Sequence, residues 1–307
     1  MERQTESEKH FEFGKNWRKY LTLLNNEKIQ AAERSLLHTL ELDSLAGKTF
    51  LDIGSGSGLF SLAARRLGAM VHSIDIDEDS VACAHELKRR FLPNDEQWTI
   101  EKASVRDQRY LESMGTFDIV YSWGVLHHTG AMWQAIENAS KLVAQGGRLF
   151  IAIYNDQGGW STRWKWIKRI YNVLPRVLQP AFVVAVVLPR EALHAVYMCV
   201  ALKPGLYVRY WTHYESIRGM SRWHDMVDWI GGWPFEVAKP EQIFEFLKRR
   251  GFSLLTMTTS RGGLGCNEFV FLRLPCNVKT LESLGEDCEL PKTHASDKRS
   301  VLSSTVN

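Results

Sequence analysis

The stretch Leu51–Phe60, LDIGSGSGLF, decides the fold. It begins in an apolar run, TFLDI (49–53), passes through a glycine-rich turn, and continues into a helix-periodic segment from Leu59 to Leu67. Strand, tight turn and helix therefore follow in immediate succession. Gly54, Gly56 and Gly58 let the backbone turn sharply and let a ligand approach with no Cβ in the way. The spacing is G-x-G-x-G, and Leu59 stands where a dinucleotide fingerprint carries its third glycine. The loop thus suits a ligand without a pyrophosphate. Asp52, two residues before the first glycine, argues the same way, since a carboxylate there repels a pyrophosphate and suits an ammonium or sulfonium group.

Working outward, MVHSIDID (70–77) reads as a second strand, followed by a helix over 80–91. QWTIEKAS (97–104) and FDIVYSW (117–123) read as strands three and four. A helix over AMWQAIENASKLVAQ (131–145) is expected to stop at Gly146–Gly147, and RLFIAIYN (148–155) is strand five. Strands alternating with helices imply right-handed parallel βαβ units. The alternation lapses after Asn155 and resumes at Pro240 with the helix EQIFEFLKRRG and two strands, SLLTMTTS and NEFVFLRLP. The short loop RGGLGC between those strands favours an antiparallel pair. The expected architecture is α/β, a Rossmann-like, mostly parallel sheet of seven strands with helices on both faces and a helical insertion after strand five. Its parts are a helical segment at 1–47, a core at 48–155 and 237–275, a helical cap at 156–236, and a polar tail at 276–307 expected to be disordered.

Asp75 ends the second strand and is placed to accept hydrogen bonds from ribose hydroxyls, with Asp77 as the alternative two residues on. LDIGSGSG, SIDID, and FDIVYSWGVLHH followed by GGRLFIA together resemble the successive motifs of class I S-adenosylmethionine-dependent methyltransferases. The core motifs are loosely similar to those of ubiquinone-biosynthesis O-methyltransferases. The resemblance covers roughly residues 49–155. It implies S-adenosylmethionine as cofactor, S-adenosylhomocysteine as product and a strand order 3-2-1-4-5-7-6 with strand seven antiparallel. It also implies that Asp52 and the backbone from Gly54 through Ser55 and Gly56 to Gly58 hold the methionine part, with Trp123 and Gly124 beside it. Asp75 would bind ribose, Ile76 would pack on adenine, and Ser104 and Val105 would lie at the adenine edge. Many relatives carry Asp where Ser104 stands, and Asp107 is the candidate to replace it.

Methyl transfer to a hydroxyl benefits from a base, and His128 and His127 follow strand four at the ligand edge of the sheet. The competing reading is that one of them packs against the cofactor or caps the next helix. Asn155–Asp156 reads as a turn rather than a cation site, and no metal is expected. His213, His224 and Asp225 sit in an aromatic-rich segment that would wall the acceptor pocket or form a helix surface. Seven tryptophans fall between 160 and 233, suited to shielding a sulfonium or a flat acceptor, or to packing the insertion.

With 38 Lys and Arg against 35 Asp and Glu, the net charge is only +3, so no DNA partner is expected. The charge is unevenly spread. Between Gln157 and Tyr214 eight basic residues face a single acid, Glu191. WSTRWKWIKRIYNVL interleaves aromatics with Arg and Lys, and the apolar run from Ala181 to Leu202 is broken by Pro189, Arg190, Glu191 and His194. That run reads as buried or interfacial rather than transmembrane. Two readings of 160–202 stand side by side: peripheral contact with an anionic membrane, with a hydrophobic or lipid-linked acceptor, or a cap packed on the core with a solvated basic face. Five cysteines without a C-x-x-C pair, and an N-terminus without an apolar h-region, point to a cytoplasmic protein, peripheral at a membrane in the first reading. The functional expectation is methylation of a small-molecule acceptor, O-directed. The alternatives are RNA methylation, a non-catalytic S-adenosylmethionine-binding subunit, and an NAD-dependent enzyme, the last opposed by the glycine spacing and Asp52.

Overall fold

The computed structural model describes residue 21 and residues 24–212 and 222–275. His213 and the tail from 276 lie outside the described residues, as do most of the first 23. Helix α1 (Asn26–Leu40) precedes β1 (Thr49–Ile53), α2 (Leu59–Arg66), β2 (Met70–Asp75), α3 (Glu78–Phe91) and β3 (Trp98–Lys102). Then come α4 (Gln108–Ser113), β4 (Phe117–Trp123), a single 3₁₀ turn (Leu126–His128), α5 (Met132–Lys141) and β5 (Val143–Tyr154). The segment that follows holds α6 (Gly159–Val173), α7 (Gln179–Val200), α8 (Pro204–Thr212) and α9 (Arg222–Gly231). The chain returns to the sheet through α10 (Pro240–Lys248), β6 (Phe252–Thr258) and β7 (Cys266–Arg273).

The seven strands form one sheet in the order β3-β2-β1-β4-β5-β7-β6, as the resemblance implies. β1 pairs in parallel with β2 and β4, and β7 runs antiparallel between β5 and β6. Alternate side chains of each strand serve opposite faces. Leu149, Ile151 and Ile153 join the cluster covered by Ala135, Ile136 and Ala139 of α5 and Ile243 and Leu247 of α10. Phe150 and Ala152 join the other, covered by Leu36 and Leu40 of α1, Leu62 of α2 and Leu87 of α3. Strands buried on both faces account for the continuous apolar runs in the sequence.

One expectation is corrected and a second narrowed. The fifth helix stops at Lys141, not at the glycine pair, and β5 already begins at Val143. β5 pairs with β4 through Val143 and then, after a shift of register, from Arg148 onward. Gly146 at φ 74° and Gly147 lie in that irregularity, where a Cβ on Gly147 would come within 2.8 Å of the Asp118 carbonyl. The glycines therefore make a bulge, not a helix stop. The second, Ala181–Leu202 as buried or interfacial, is narrowed and not overturned. That run is mostly the 22-residue α7, in which only Val183 and Glu191 are buried, so burial does not explain its apolar character.

Candidate active site

The sheet's connectivity reverses between β1 and β4, so the chain leaves both strands in opposite directions and opens a crevice at their carboxyl ends. A cavity of about 840 Å³ lies there. It is walled by Gly54 and Gly56 of the glycine turn, Asp75 and Ile76 at the end of β2, Ser104 and Val105 after β3, and Trp123, Gly124 and His128 after β4. Gly54, at φ 74°, is the tightest point of the turn, where a Cβ would run into the Val125 side chain.

Asp75 is the electrostatic centre of this wall. Its Oδ2 accepts the Gly56 amide at 2.9 Å, so the acid also shapes the glycine turn, and its Oδ1 accepts the Asp77 amide at 2.9 Å. Burial pushes its carboxyl up to about 6, against the pull of those amides. Asp77 is spent on another task, accepting the Asp79 amide as the N-cap of α3. Both Asp75 and Asp77 line the cavity at this strand end. Ile76 is 54% exposed and Trp123 50%, both on the cavity wall. Trp123 is braced from the antiparallel part of the sheet, its Nε1 donating to Glu268 Oε1 at 2.8 Å.

Other expected residues sit elsewhere. Asp52 is buried beneath the turn and does not line the cavity. Its Oδ2 accepts Ser61 Oγ, which accepts Ser73 Oγ at 2.7 Å, which accepts Trp98 Nε1 at 2.8 Å. This chain ties β1 to α2, β2 and β3, and burial pushes the Asp52 carboxyl up to about 7. Ser55 is off the cavity wall, with its Oγ buried and lacking a hydrogen-bond partner. Gly58 is a packing glycine, with φ 79° and Ala84 of α3 only 3.0 Å from where a Cβ would stand. Asp107 reaches the cavity wall while its Oδ1 accepts the Tyr110 amide at 3.2 Å as the N-cap of α4. Asp156 Oδ1 accepts the Gly158 amide at 2.8 Å, which is a turn.

The two histidines separate clearly. His127 is fully buried, its ring centre 3.9 Å from that of Tyr154 with the planes inclined at 37°, and burial holds it well below the usual histidine range. It packs and does not face the cavity. His128 does face it, and its Nδ1 lies 2.6 Å from the Pro234 carbonyl. A carbonyl only accepts, so Nδ1 carries the hydrogen and the neutral ring keeps its lone pair on Nε2. The segment bearing Pro234 is held closely. The Glu236 amide donates to the His127 carbonyl at 3.0 Å, Glu236 Oε2 accepts the Met132 amide at 3.0 Å, and the Ala238 amide donates to Tyr154 at 3.0 Å.

Several cavity residues escaped the sequence reading, chiefly Tyr154, Gln134 and Cys266, whereas Trp233 was among the tryptophans it singled out. Tyr154 ends β5 and belongs to the same strand-end register that located Trp123, which is the signal that could have found it. Cys266 is no nucleophile, because burial pushes its thiol up to about 12. Behind Tyr154, Lys168 of α6 is fully buried, with its Nζ 4.6 Å from the centre of the Trp229 ring and 5.0 Å from that of Phe235, and it donates to the Trp229 carbonyl.

Comparison with known proteins agrees with this geometry. Residues 51–149, from β1 to β5, match the methyltransferase domain family. Residues 51–149 thus carry a methyltransferase domain. Over 117 residues it is 34% identical to a ubiquinone biosynthesis O-methyltransferase of Pseudomonas paraeruginosa, covering 38% of this chain and 48% of that one. Over 113 residues it is 32% identical to the enzyme of the same name from Cupriavidus pinatubonensis, covering 36% and 43%. The chain thus spans about half the length of the curated relatives it matches. Among solved structures, PKMT2 from Rickettsia typhi in complex with AdoHcy superposes with a TM-score of 0.53 at 13% identity, over 80% of this chain and 53% of that one, a likeness of fold alone. The match to the methyltransferase domain family ends before α6, so the helices from α6 to α9 have no part in it.

Proposed function

We propose that the protein transfers the methyl group of S-adenosylmethionine to a hydroxyl of a small, largely hydrophobic acceptor. The observation that carries this reading is a single cavity with two kinds of wall. At the β2 end stand Asp75, an acceptor for paired hydroxyls, and the open face of Ile76, suited to a purine. Past the β4 and β5 ends stand His128 and the aromatic rings of Trp123, Tyr154 and Trp233. The residues fit the cofactor: Asp75 for the ribose, Ile76 and Val105 for the adenine, and the Gly54–Gly56 backbone for the amino-acid part. Bound S-adenosylmethionine supplies an electrophilic methyl group. The aromatic walls hold a flat acceptor and keep water out. His128 Nε2 takes the acceptor's hydroxyl proton, while the Pro234 carbonyl fixes the ring and steadies the positive charge it gains.

The O-directed reading draws support from the likeness to ubiquinone biosynthesis O-methyltransferases, 34% identical over 117 residues. The test is transfer of labelled methyl from S-adenosylmethionine to a panel of catechols and hydroquinones with and without alkyl tails. Label on the phenolic oxygen, lost in Asp75→Ala, is expected. Tight cofactor binding with label entering only RNA would sink the small-molecule reading.

A further inference from the structure

Helix α7 is the most unusual surface of the molecule. It runs for 22 residues, about 33 Å. One side packs Val183, Val186 and Val187 against Tyr171 of α6 and Ile230 of α9. Elsewhere it is open, and it presents Val184 and Leu188 in its first half, and Leu193, Val196, Tyr197 and Val200 on a different side in its second half, to solvent. On α6, Trp166 and Ile170 are exposed as well, and the Arg169 guanidinium lies 5.6 Å from the centre of the Trp166 ring. Soluble monomers rarely expose an apolar patch of this extent without a partner.

Charge selects the occupant. Between residues 157 and 212 the exposed charged side chains are all basic: Arg163, Lys165, Arg169, Arg176, Arg190, Lys203 and Arg209. The lone acid, Glu191, is buried and accepts the Tyr207 hydroxyl at 3.3 Å. A second copy docked face to face would set this basic surface against itself. An anionic lipid surface satisfies both features at once, taking the apolar side chains below its headgroups and the Lys and Arg heads among them. Length and composition alone would let α7 cross a membrane. Arg190 is exposed at its midpoint, however, where a spanning helix would hold that charge in the hydrocarbon centre.

We propose that the exposed apolar side chains of α7, together with α6, seat the protein peripherally on an anionic membrane surface. This stands apart from the methyl-transfer reading, because it is measured without turnover. The full chain is floated with vesicles of phosphatidylcholine mixed with phosphatidylglycerol, and with phosphatidylcholine alone. Binding to the mixed vesicles is expected, weaker by about tenfold or more on neutral vesicles and in high salt. The variant Val184→Ser/Leu188→Ser/Leu193→Ser/Val196→Ser should lose vesicle binding yet keep its melting temperature. Should that variant fail to fold, the charge reversal Lys165→Glu/Arg176→Glu/Lys203→Glu on exposed positions should lose binding in the same way. Four results would overturn the proposal: no flotation of the wild type, equal binding by the folded variants, a concentration-dependent dimer abolished by the serine substitutions, or protein that resists extraction by alkaline carbonate.

Discussion

The sheet and the segment from α6 to α9 are built from similar apolar residues and put them to opposite use. In the sheet, Leu149 to Ile153 are buried on both faces between α5 and α10 on one side and α1 to α3 on the other. In α7, an apolar run packs only Val183 and the partly buried Phe182, Val186 and Val187 against Tyr171 and Ile230, and leaves Val184, Leu188, Leu193, Val196, Tyr197 and Val200 exposed. Apolar composition thus reports that a surface must be covered, and the neighbouring elements decide by what. The sheet is covered from within the chain, and α7 looks outward.

The comparison can be broken or sharpened by measurement. The largest effect is expected at the seam between the two regions, where His128 belongs to the core and its ring is set by Pro234. His128→Ala should lower turnover by about 10²–10⁴-fold while calorimetric affinity for S-adenosylmethionine stays unchanged. Next, within the sheet, Ile151→Ala should cost about 2–5 kcal/mol in urea denaturation, since nothing can collapse into the space. Asp75→Ala should weaken cofactor binding by roughly 10–100-fold, about 1.5–3 kcal/mol for a charged hydrogen bond lost.

A pH titration gives a smaller effect of predictable sign. In the proposed role the carboxylate of Asp75 accepts the ribose hydroxyls, and with burial pushing that carboxyl up to about 6, affinity should fall as pH drops through 6. At pH 5 it should be about tenfold weaker than at its plateau, and that dependence should vanish in Asp75→Asn. Folding stability runs the other way. Burial raises the carboxyls of Asp52 and Asp75 above their unfolded value of 3.8, so the folded state holds their protons more tightly. Their contribution is complete below about pH 4 and is lost as pH rises towards 7. The smallest effect belongs to the outward face, where Leu193→Ala should change stability by no more than about 0.5 kcal/mol, against the core value for Ile151→Ala.

Much of the core was legible because each signal there is local. The glycine turn, the acid at a strand end and the short antiparallel link depend on residues a few positions apart, and strand order followed from the resemblance. Gly146–Gly147 was misread because a glycine after an apolar helix signals a stop, whereas here it accommodates the carbonyl of Asp118 on a neighbouring strand. Motif alone places Asp52 and Gly58 at the ligand and says nothing of their packing partners, Ser61 of α2 and Ala84 of α3, which the structure adds. The division between His127 and His128 was invisible because adjacent residues in a 3₁₀ turn face different ways, and the deciding partner, Pro234, is 106 residues away. The exposure of α7 was equally hidden, since periodicity does not tell a buried helix from an interfacial one.

The segment at 234–238 also says where this protein can be cut. The chain passes from β5 into α6 at 155–158 and comes back through Pro234, Glu236 and Ala238, which are stitched to the histidine turn, to α5 and to β5. The seam therefore lies before Pro234, although the helical alternation resumes only at Pro240. A shortened protein joining residue 158 to residue 233 by a brief linker would keep the ring of His128 in register, whereas one joined beyond Ala238 would unfasten it. Surgery at that one place would separate the part that holds the methyl donor from the part that faces outward, leaving each to be assayed alone.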